Sequence, residues 1–209
     1  MENGSTRGTG LKIVLIVEGQ TERVFLPVLR GFLQGRLSEK MPQVRTNVKH
    51  GRIPTGEKLR RLVARYLAEG HDAVVALTDV YTGTREFADA ADAKSTMRQW
   101  VGPESRFHPH AAQYDFEAWL IPYWNRIQEI CGTNRRAPSG KPESVNYNKP
   151  PSKRIKEVFL TGTKRDFYSK TRDAKKILEG QDLAVAAAQC PELKALLNTF
   201  LTLCGGTPL

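Results

Sequence analysis

The sequence predicts an α/β fold, in which a mainly parallel sheet is flanked by helices and followed by a helical C-terminal extension. Short apolar runs alternate with stretches of helical periodicity through residue 125, and the remainder is helical. Such alternation is typical of βαβ units, whose strands lie parallel. A chain of 209 residues can bury one sizeable core. We expect a disordered leader at residues 1–10 and a single domain at 11–209, with a basic loop and a helical part over about 132–209.

Four strands are expected from apolar or alternating runs. They are Lys12–Val17, Gln43–Lys49, Ala73–Thr78 and Arg106–Ala112. The first and third runs are continuously apolar, as in strands that are buried on both faces of a parallel sheet.

Helical spacing of apolar residues predicts the elements between and after these strands. The segments are Thr21–Leu33, Glu57–Ala68, Asp89–Val101, a helix starting within Gln113–Leu120, a helix capped by Ser152 that runs through Leu160, Lys170–Leu178, and Pro191–Leu203. Residues 134–151 contain Gly, Pro, Ser and Asn without apolar rhythm, which predicts a long loop.

The positive charge of the chain is concentrated in one segment. The net charge is +10, and residues 135–176 carry 13 Lys or Arg against 4 Asp or Glu. This segment suits a polyanionic partner such as nucleic acid, although a solubilising surface loop has the same composition. Three scattered cysteines favour a reducing cytoplasm, and no apolar run approaches the roughly 18 residues that span a bilayer.

Acidic residues follow three of the predicted strands. Glu18 comes directly after the first strand, Asp79 after the third and Asp115 soon after the fourth, while Glu22 and Glu117 lie a few residues further on. The carboxyl ends of parallel strands meet at one edge of a sheet, where ligands bind in open α/β folds. We therefore expect these carboxylates to converge.

Converging carboxylates repel one another unless a cation lies among them or their pKa values rise. Mg²⁺ is the natural cation, because it prefers oxygen ligands and substrate phosphates, and the candidate ligands are Glu18, Glu22, Asp79, Asp115 and Glu117. Three of these acids also have a local explanation: Glu22 can complement the dipole of its helix, Asp79 can belong to a turn, and Asp115 can be an N-cap.

Several short motifs resemble a known group of proteins. The segment Ile16–Glu22 (IVEGQTE) resembles the first motif of the Toprim domain, which primases, topoisomerases and the overcoming-lysogenization-defect (OLD) nucleases share. Residues 107–110 (FHPH), 113–120 (QYDFEAWL), 151–155 (PSKRI) and 168–170 (YSK) resemble a bacterial family of unknown function with a Toprim-like fold. The resemblance runs from about Leu11 to about Leu203.

The resemblance implies a Toprim-type sheet, a divalent metal, Mg²⁺ or Mn²⁺, and cleavage of nucleic acid. Glu18 matches the Toprim glutamate, Asp79 the first acid of the Asp-x-Asp motif, and Glu117 the acid of a Phe-Glu-Ala motif. Relatives are often encoded beside an ABC-type or AAA ATPase, in arrangements that suggest anti-phage defence. One position departs from the pattern: Tyr81 stands where a second aspartate is expected.

Two functions compete at this stage. The first is a metal-dependent endonuclease acting on DNA or RNA, in which Glu18, Asp79 and Glu117 hold the ions. The second is a catalytically degenerate subunit that binds nucleic acid or an ATPase partner, as the missing aspartate suggests. The chain has no Gly-rich phosphate loop, so any ATP dependence must come from another protein. The apolar faces of some helices could also form a homodimer interface.

Four basic residues are candidate phosphate contacts: Lys153, Arg154, Lys170 and Arg172. Lys170 can alternatively approach the active site and stabilise charge on the reacting phosphate. Four aromatic residues could stack on bases, but their helical spacing favours core positions; they are Tyr114, Trp119, Tyr123 and Trp124.

Overall fold

The four predicted strands form one parallel sheet in the computed structural model. The structure describes residues 10–38, 40–80, 86–144, 149–164 and 167–209, with only the backbone of residues 20–23. The strands are β1 (Lys12–Val17), β2 (Gln43–Val48), β3 (Ala73–Asp79) and β4 (Phe107–Ala112). They are arranged in the order β2-β1-β3-β4, and each neighbouring pair is parallel. The predicted α/β class is confirmed.

Helices connect the strands and dominate the described chain after β4. They are α1 (Gln20–Gln34), α2 (Gly56–Ala68), α3 (Ala90–Val101), α4 (Trp124–Cys131), α5 (Pro151–Thr161), α6 (Lys170–Leu178), α7 (Leu183–Ala187) and α8 (Pro191–Leu203). Two 3₁₀ helices, Phe116–Tyr123 and Pro142–Ser144, accompany them. None of the described helices has the length and apolar character needed to cross a membrane.

The central strand β1 is buried on both faces, as its continuous apolar sequence predicts. Ile13, Leu15 and Val17 share one core with α1 and the C-terminal helices, while Val14 and Ile16 share the other with α2 and α3. All five side chains are fully buried. Burial of one such side chain stabilises the fold by about 1.5–3 kcal/mol, so both helical layers hold the sheet in place.

The segment after β4 differs from the expected helix. Gln113 lies outside any helix, and its side-chain oxygen accepts a hydrogen bond from the backbone N–H of Ala90 at 2.9 Å. The chain then forms the 3₁₀ helix Phe116–Tyr123, which contains Pro122, before α4 begins. Pro122 has no N–H to donate to an α-helical hydrogen bond, so a continuous α-helix is disfavoured here.

The start of α5 also corrects the sequence interpretation. Pro150 is the N-cap and Pro151 the first helical residue, so Ser152 lies inside the helix and is not its cap. Proline is well suited to the first turn, where its missing N–H has no intrahelical partner in any case. The N–H groups of Lys153 and Arg154 donate to the backbone oxygen of Pro150, which leaves the N–H of Ser152 for an acceptor from elsewhere in the fold.

Helix α7 is absent from the sequence prediction. It has only five residues in an Ala-rich stretch, which is too short for a helical periodicity to be visible. The carboxylate of Asp182 caps it by accepting a hydrogen bond from the N–H of Ala184 at 3.0 Å.

Candidate active site

The strand-end acids lie along the carboxyl edge of the sheet. Strands β1, β3 and β4 are adjacent in that order, and their parallel register brings Val17 beside Leu77 and Asp79 beside Ala112. The residues that follow each strand therefore emerge at the same edge. The described side chains fall into two groups there, one around Glu18 and one around Glu117.

The first group joins the ends of β1 and β3. Glu18 is 8% exposed, and its carboxylate accepts a hydrogen bond from the hydroxyl of Thr78, which is also buried. Glu18 and Asp79 line one small cleft, whose other polar lining residues are Arg52, Thr55, Thr78 and Glu86. Arg52 and Glu86 form an ion pair. Glu18 is thus held by the neighbouring strand and shares a cleft with Asp79.

A turn at Tyr114 carries the chain from β4 into the second group. Tyr114 has a φ of 71°, a left-handed conformation that is uncommon for residues other than glycine. This turn is followed by Asp115 and Glu117, which are 3% and 0% exposed. Two carboxylates buried this deeply need hydrogen-bond or charge partners.

Glu117 receives its partners from α6 and the segment before it. The ammonium Nζ of Lys170 lies 3.3 Å from the Glu117 carboxylate oxygens, and the hydroxyl of Tyr168 donates to Oε1 at 3.3 Å. Burial, followed by the negative charge of Glu117, raises the pKa of Tyr168 well above its usual range. The Tyr168 hydroxyl therefore stays protonated and remains a donor to Glu117.

Asp115 is held by a contact between distant parts of the chain. Its Oδ2 accepts a hydrogen bond from the N–H of Ser152, in the first turn of α5, at 3.2 Å. Its Oδ1 is buried and has no hydrogen-bond partner among the residues that the structure describes. Burial and the charge of Glu117 raise the pKa of Asp115 to about 7, against the opposing effects of Ser152 and Lys170.

The raised pKa of Asp115 makes the stability of the protein depend on pH. An aspartate in an unfolded chain has a pKa of about 3.9, so the folded state binds this proton more tightly. That stabilisation is complete below the unfolded value and is lost as the pH rises through about 7. The Asp115→Asn variant carries no charge at either pH. We expect its stability relative to the parent to increase by about 2 kcal/mol between pH 5 and pH 8 in urea unfolding. A difference that does not change with pH would contradict this.

Lys170 connects the two groups electrostatically. Burial alone would lower its pKa, but the charges of Glu117, Asp79 and Asp115 outweigh this effect and raise it. Its side chain is still 54% exposed, whereas that of Glu117 is fully buried. The ammonium group therefore contacts Glu117, is affected by the charge of Asp79 at the end of β3, and belongs to a side chain that remains accessible to a substrate.

The chemistry of this donor set suits Mg²⁺ or Mn²⁺. The candidate ligands are carboxylates, and Oδ1 of Asp115 is a buried oxygen that lacks a partner in the described structure. Across the described residues, however, no three His, Cys, Asp or Glu side chains lie close enough to hold an ion as they stand. An ion held by three of these described side chains at once would therefore require them to move. The Glu22 side chain and Tyr81 lie outside the described residues.

The predicted phosphate contacts occupy different environments. Lys153 is exposed in the first turn of α5, next to the contact between Ser152 and Asp115. Arg154 donates to the backbone oxygen of Lys149 at 3.2 Å. Arg172 makes two hydrogen bonds to the carboxylate of Asp173, at 2.8 and 3.0 Å. Its charge is thus largely engaged within the protein, which weakens its expected role as a phosphate contact.

The sequence does not predict three hydrogen-bond partners of the acidic residues: the hydroxyl of Thr78, the backbone N–H of Ser152 and the hydroxyl of Tyr168. Thr78 leaves a trace in the sequence, because it is a polar residue at the end of an apolar strand. The contacts made by Ser152 and Tyr168 join segments 37 and 51 residues apart. No local pattern reveals contacts over such separations.

Comparisons with known proteins agree with this fold. The model of a family described as a domain of unknown function, DUF4276, matches residues 17–201. The C-terminal region of the Burkholderia pseudomallei OLD protein has a similar structure, with a TM-score of 0.53 and 10% sequence identity. The similarity covers 92% of this chain and 98% of that one. The expected relation to OLD proteins is confirmed at the level of the fold.

Two structures of the C-terminal region of the Xanthomonas campestris pv. campestris OLD protein overlap less well. Their TM-scores are 0.47 and 0.43, at 18% and 13% identity. They cover 92% and 88% of this chain, and 95% of each of those chains. No curated protein matches the sequence.

Proposed function

Since the chain belongs to the DUF4276 family and shares its fold with the C-terminal region of an OLD protein, we propose that it is a metal-dependent nuclease of Toprim type. One observation carries the proposal. At the carboxyl edge of the sheet the Nζ of Lys170 lies 3.3 Å from the carboxylate of the buried Glu117, and the charges of Asp79 and Asp115 also act on it. A phosphodiester site needs both components: carboxylates for a cation, and a positive charge for the reacting phosphate.

The residues have distinct roles in this proposal. Asp79 and Glu117, with Glu18, would hold Mg²⁺ or Mn²⁺, which when bound supplies Lewis-acid polarisation of the phosphate and of a water molecule. Asp115 would take the water proton at Oδ1, a buried oxygen that has no hydrogen-bond partner among the described residues. Lys170 donates to a non-bridging phosphate oxygen as negative charge develops there.

The atoms balance as in a simple hydrolysis. The water oxygen forms a bond to phosphorus, and the bond from phosphorus to the leaving sugar oxygen breaks. One water proton passes to Asp115, and solvent supplies a proton to the leaving oxygen. Lys153, exposed at the start of α5, supports the adjacent backbone phosphate.

Substitution of the carboxylates tests the proposal. We expect Asp79→Asn and Glu117→Gln each to lower the cleavage rate by about 100-fold or more, because each removes a charge that holds the cation. Cleavage of labelled DNA and RNA is measured with Mg²⁺, with Mn²⁺ and with EDTA. Glu129→Gln is the matched control, since Glu129 is 66% exposed on α4 and lies outside the acidic groups. Unchanged rates in both site variants would refute the assignment.

The wider biological role is also part of the proposal. We place the chain as the effector subunit of an ATPase-associated anti-phage system. The basis is the sequence resemblance, together with the absence of a Gly-rich phosphate loop from the sequence. Retention of an ATPase encoded beside this chain on the tagged protein would support this role.

A degenerate subunit is the second candidate, and two observations favour it. Tyr81 replaces the second aspartate of the motif, and no three potential ligands are clustered in the described structure. Calorimetric titration with Mn²⁺ separates the two functions. Heat from binding at millimolar metal that disappears in the Glu117→Gln variant supports the nuclease, whereas no binding supports the degenerate subunit.

A further inference from the structure

An exposed aromatic side chain stands next to the candidate active site. Phe167 is 64% exposed, the largest exposed fraction among the large apolar residues that the structure describes. The next residue, Tyr168, donates to Glu117, and Lys170 also contacts that carboxylate. The short segment 167–170 therefore turns two side chains towards the site and keeps the Phe167 ring in solvent.

The backbone at Phe167 is held by a built network of contacts. Arg172 donates to the backbone oxygen of Phe167 at 3.0 Å, and its guanidinium carbon lies 5.5 Å from the centre of the Phe167 ring. Asp173, only 1% exposed, fixes Arg172 through two hydrogen bonds. Asp173 also accepts from the N–H of Ser169 at 2.7 Å. The buried Asp173 thus organises Arg172 and, through it, the position of Phe167.

This network gives Arg172 a role other than the one the sequence suggests. Its charge is compensated by Asp173, so it is poorly suited to neutralise a substrate phosphate. Its planar guanidinium instead lies against an aromatic ring, an arrangement that stabilises the ring by a cation–π contact. Arg172 is therefore a positioning residue for Phe167.

We propose that Phe167 is a stacking platform for an unpaired base of the nucleic acid whose phosphate is bound at Lys170. This inference rests on the proposed function, and it names the substrate class as single-stranded or flapped nucleic acid. Three residues of extended chain span at most about 11 Å, so the backbone brings Phe167 close to Lys170 and a strand bound at Lys170 passes near the ring. A base inside a duplex has both faces covered by its neighbours, whereas an unpaired base can stack on an aromatic side chain.

Binding to matched oligonucleotides tests the inference without requiring cleavage. Labelled single strands and blunt duplexes of one sequence, as DNA and as RNA, are titrated in EDTA and followed by fluorescence anisotropy. The variants are Phe167→Ala, Phe167→Trp, which keeps an aromatic face, and Val185→Ala. Val185 is the control because it is 49% exposed on α7, away from the segment.

We expect Phe167→Ala to weaken single-strand binding by about 5- to 100-fold, from the usual effect of losing one base stack. Duplex binding should change by less than about twofold, because phosphate contacts dominate it. Phe167→Trp and Val185→Ala should bind single strands like the parent. A single strand containing 2-aminopurine should lose fluorescence on binding the parent, and this quenching should be absent in Phe167→Ala. The preferred strand, DNA or RNA, identifies the substrate sugar.

Equal weakening of single-strand and duplex binding in Phe167→Ala, or no weakening of either, would overturn the stacking role. The second result would indicate that the exposed ring belongs to a protein contact. Neither result affects the nuclease assignment, which depends on the cleavage rates of the Asp79→Asn and Glu117→Gln variants. Conversely, unchanged cleavage in those variants together with selective loss in Phe167→Ala would refute the nuclease assignment and support a single-strand-binding subunit.

Discussion

The Lys170→Met variant is expected to lose cleavage by about 100-fold or more, because the positive charge at the reacting phosphate is gone. The same change leaves three carboxylates without their resident cation. We expect the free energy of unfolding in EDTA to fall by about 1–2 kcal/mol at pH 8, less than for a fully buried ion pair, since Lys170 is 54% exposed. Millimolar Mg²⁺ should then raise the melting temperature more in this variant than in the parent, because it binds the folded state preferentially.

Thermal unfolding with EDTA and with Mg²⁺ measures both effects. Lys175→Met is the matched control, because Lys175 is an exposed lysine on the same helix and should leave cleavage unchanged. If Lys170→Met cleaves like the parent, Lys170 has no role in the reaction. If it gains no dependence on Mg²⁺, the carboxylates do not form a metal site.

The Glu143→Leu variant is expected to reduce the free energy of unfolding by about 2–4 kcal/mol. The Glu143 carboxylate accepts one hydrogen bond from the indole N–H of Trp119 at 2.9 Å and another from the backbone N–H of Glu192 at 3.0 Å. It therefore anchors the 3₁₀ helix that carries Glu117 and caps the first turn of α8. Leucine is similar in size but would leave two donors without an acceptor.

Urea unfolding measures this loss of stability. Two further variants test whether the lost hydrogen bonds are its cause. Glu143→Gln keeps an acceptor oxygen and should lose less stability than Glu143→Leu. Glu129→Leu, at a side chain that is 66% exposed, should change stability by less than about 0.5 kcal/mol. If Glu143→Leu were as stable as the parent, the two hydrogen bonds would contribute nothing to the fold.

Local sequence patterns were sufficient for the strands, because a parallel sheet imposes strong rules on each one. The predicted Lys12–Val17 has the observed bounds, and the other three predicted strands differ from the observed ones by single residues. Continuous apolar runs are required where both faces of a strand are buried. Helices with a clear apolar stripe, such as α2 and α8, are predictable because their buried residues recur at helical spacing.

The errors lie where local pattern and tertiary contacts disagree. Pro122 interrupts an otherwise helical pattern, and α7 is too short to show periodicity. Ser152 has the chemistry of an N-cap, but Pro150 occupies that position. The backbone N–H of Ser152 instead donates a hydrogen bond to the carboxylate of Asp115. That acceptor comes from a distant loop, so the sequence around Ser152 contains no sign of it.

The site was predictable in its location but not in its internal contacts. Strand topology brings the acids to one edge, whereas the approach of Lys170 and Tyr168 to Glu117 depends on how α6 packs. Of the four aromatic residues predicted to be core, Trp119, Tyr123 and Trp124 are buried, whereas Tyr114 is only half-buried. The exposure of Phe167 is not predictable from the sequence, because a single aromatic residue in a polar segment has no periodicity.

The two faces of the sheet are completed at different times during synthesis. The face formed by Val14 and Ile16 is covered by α2 and α3, which are made before β4. The opposite face, with Leu15 and Val17, is shared with α6 and α8 at the far end of the chain. When β4 has just emerged from the ribosome, the nascent chain therefore still exposes apolar surface on that face. Truncations that remove α8 should consequently aggregate instead of yielding a smaller folded protein.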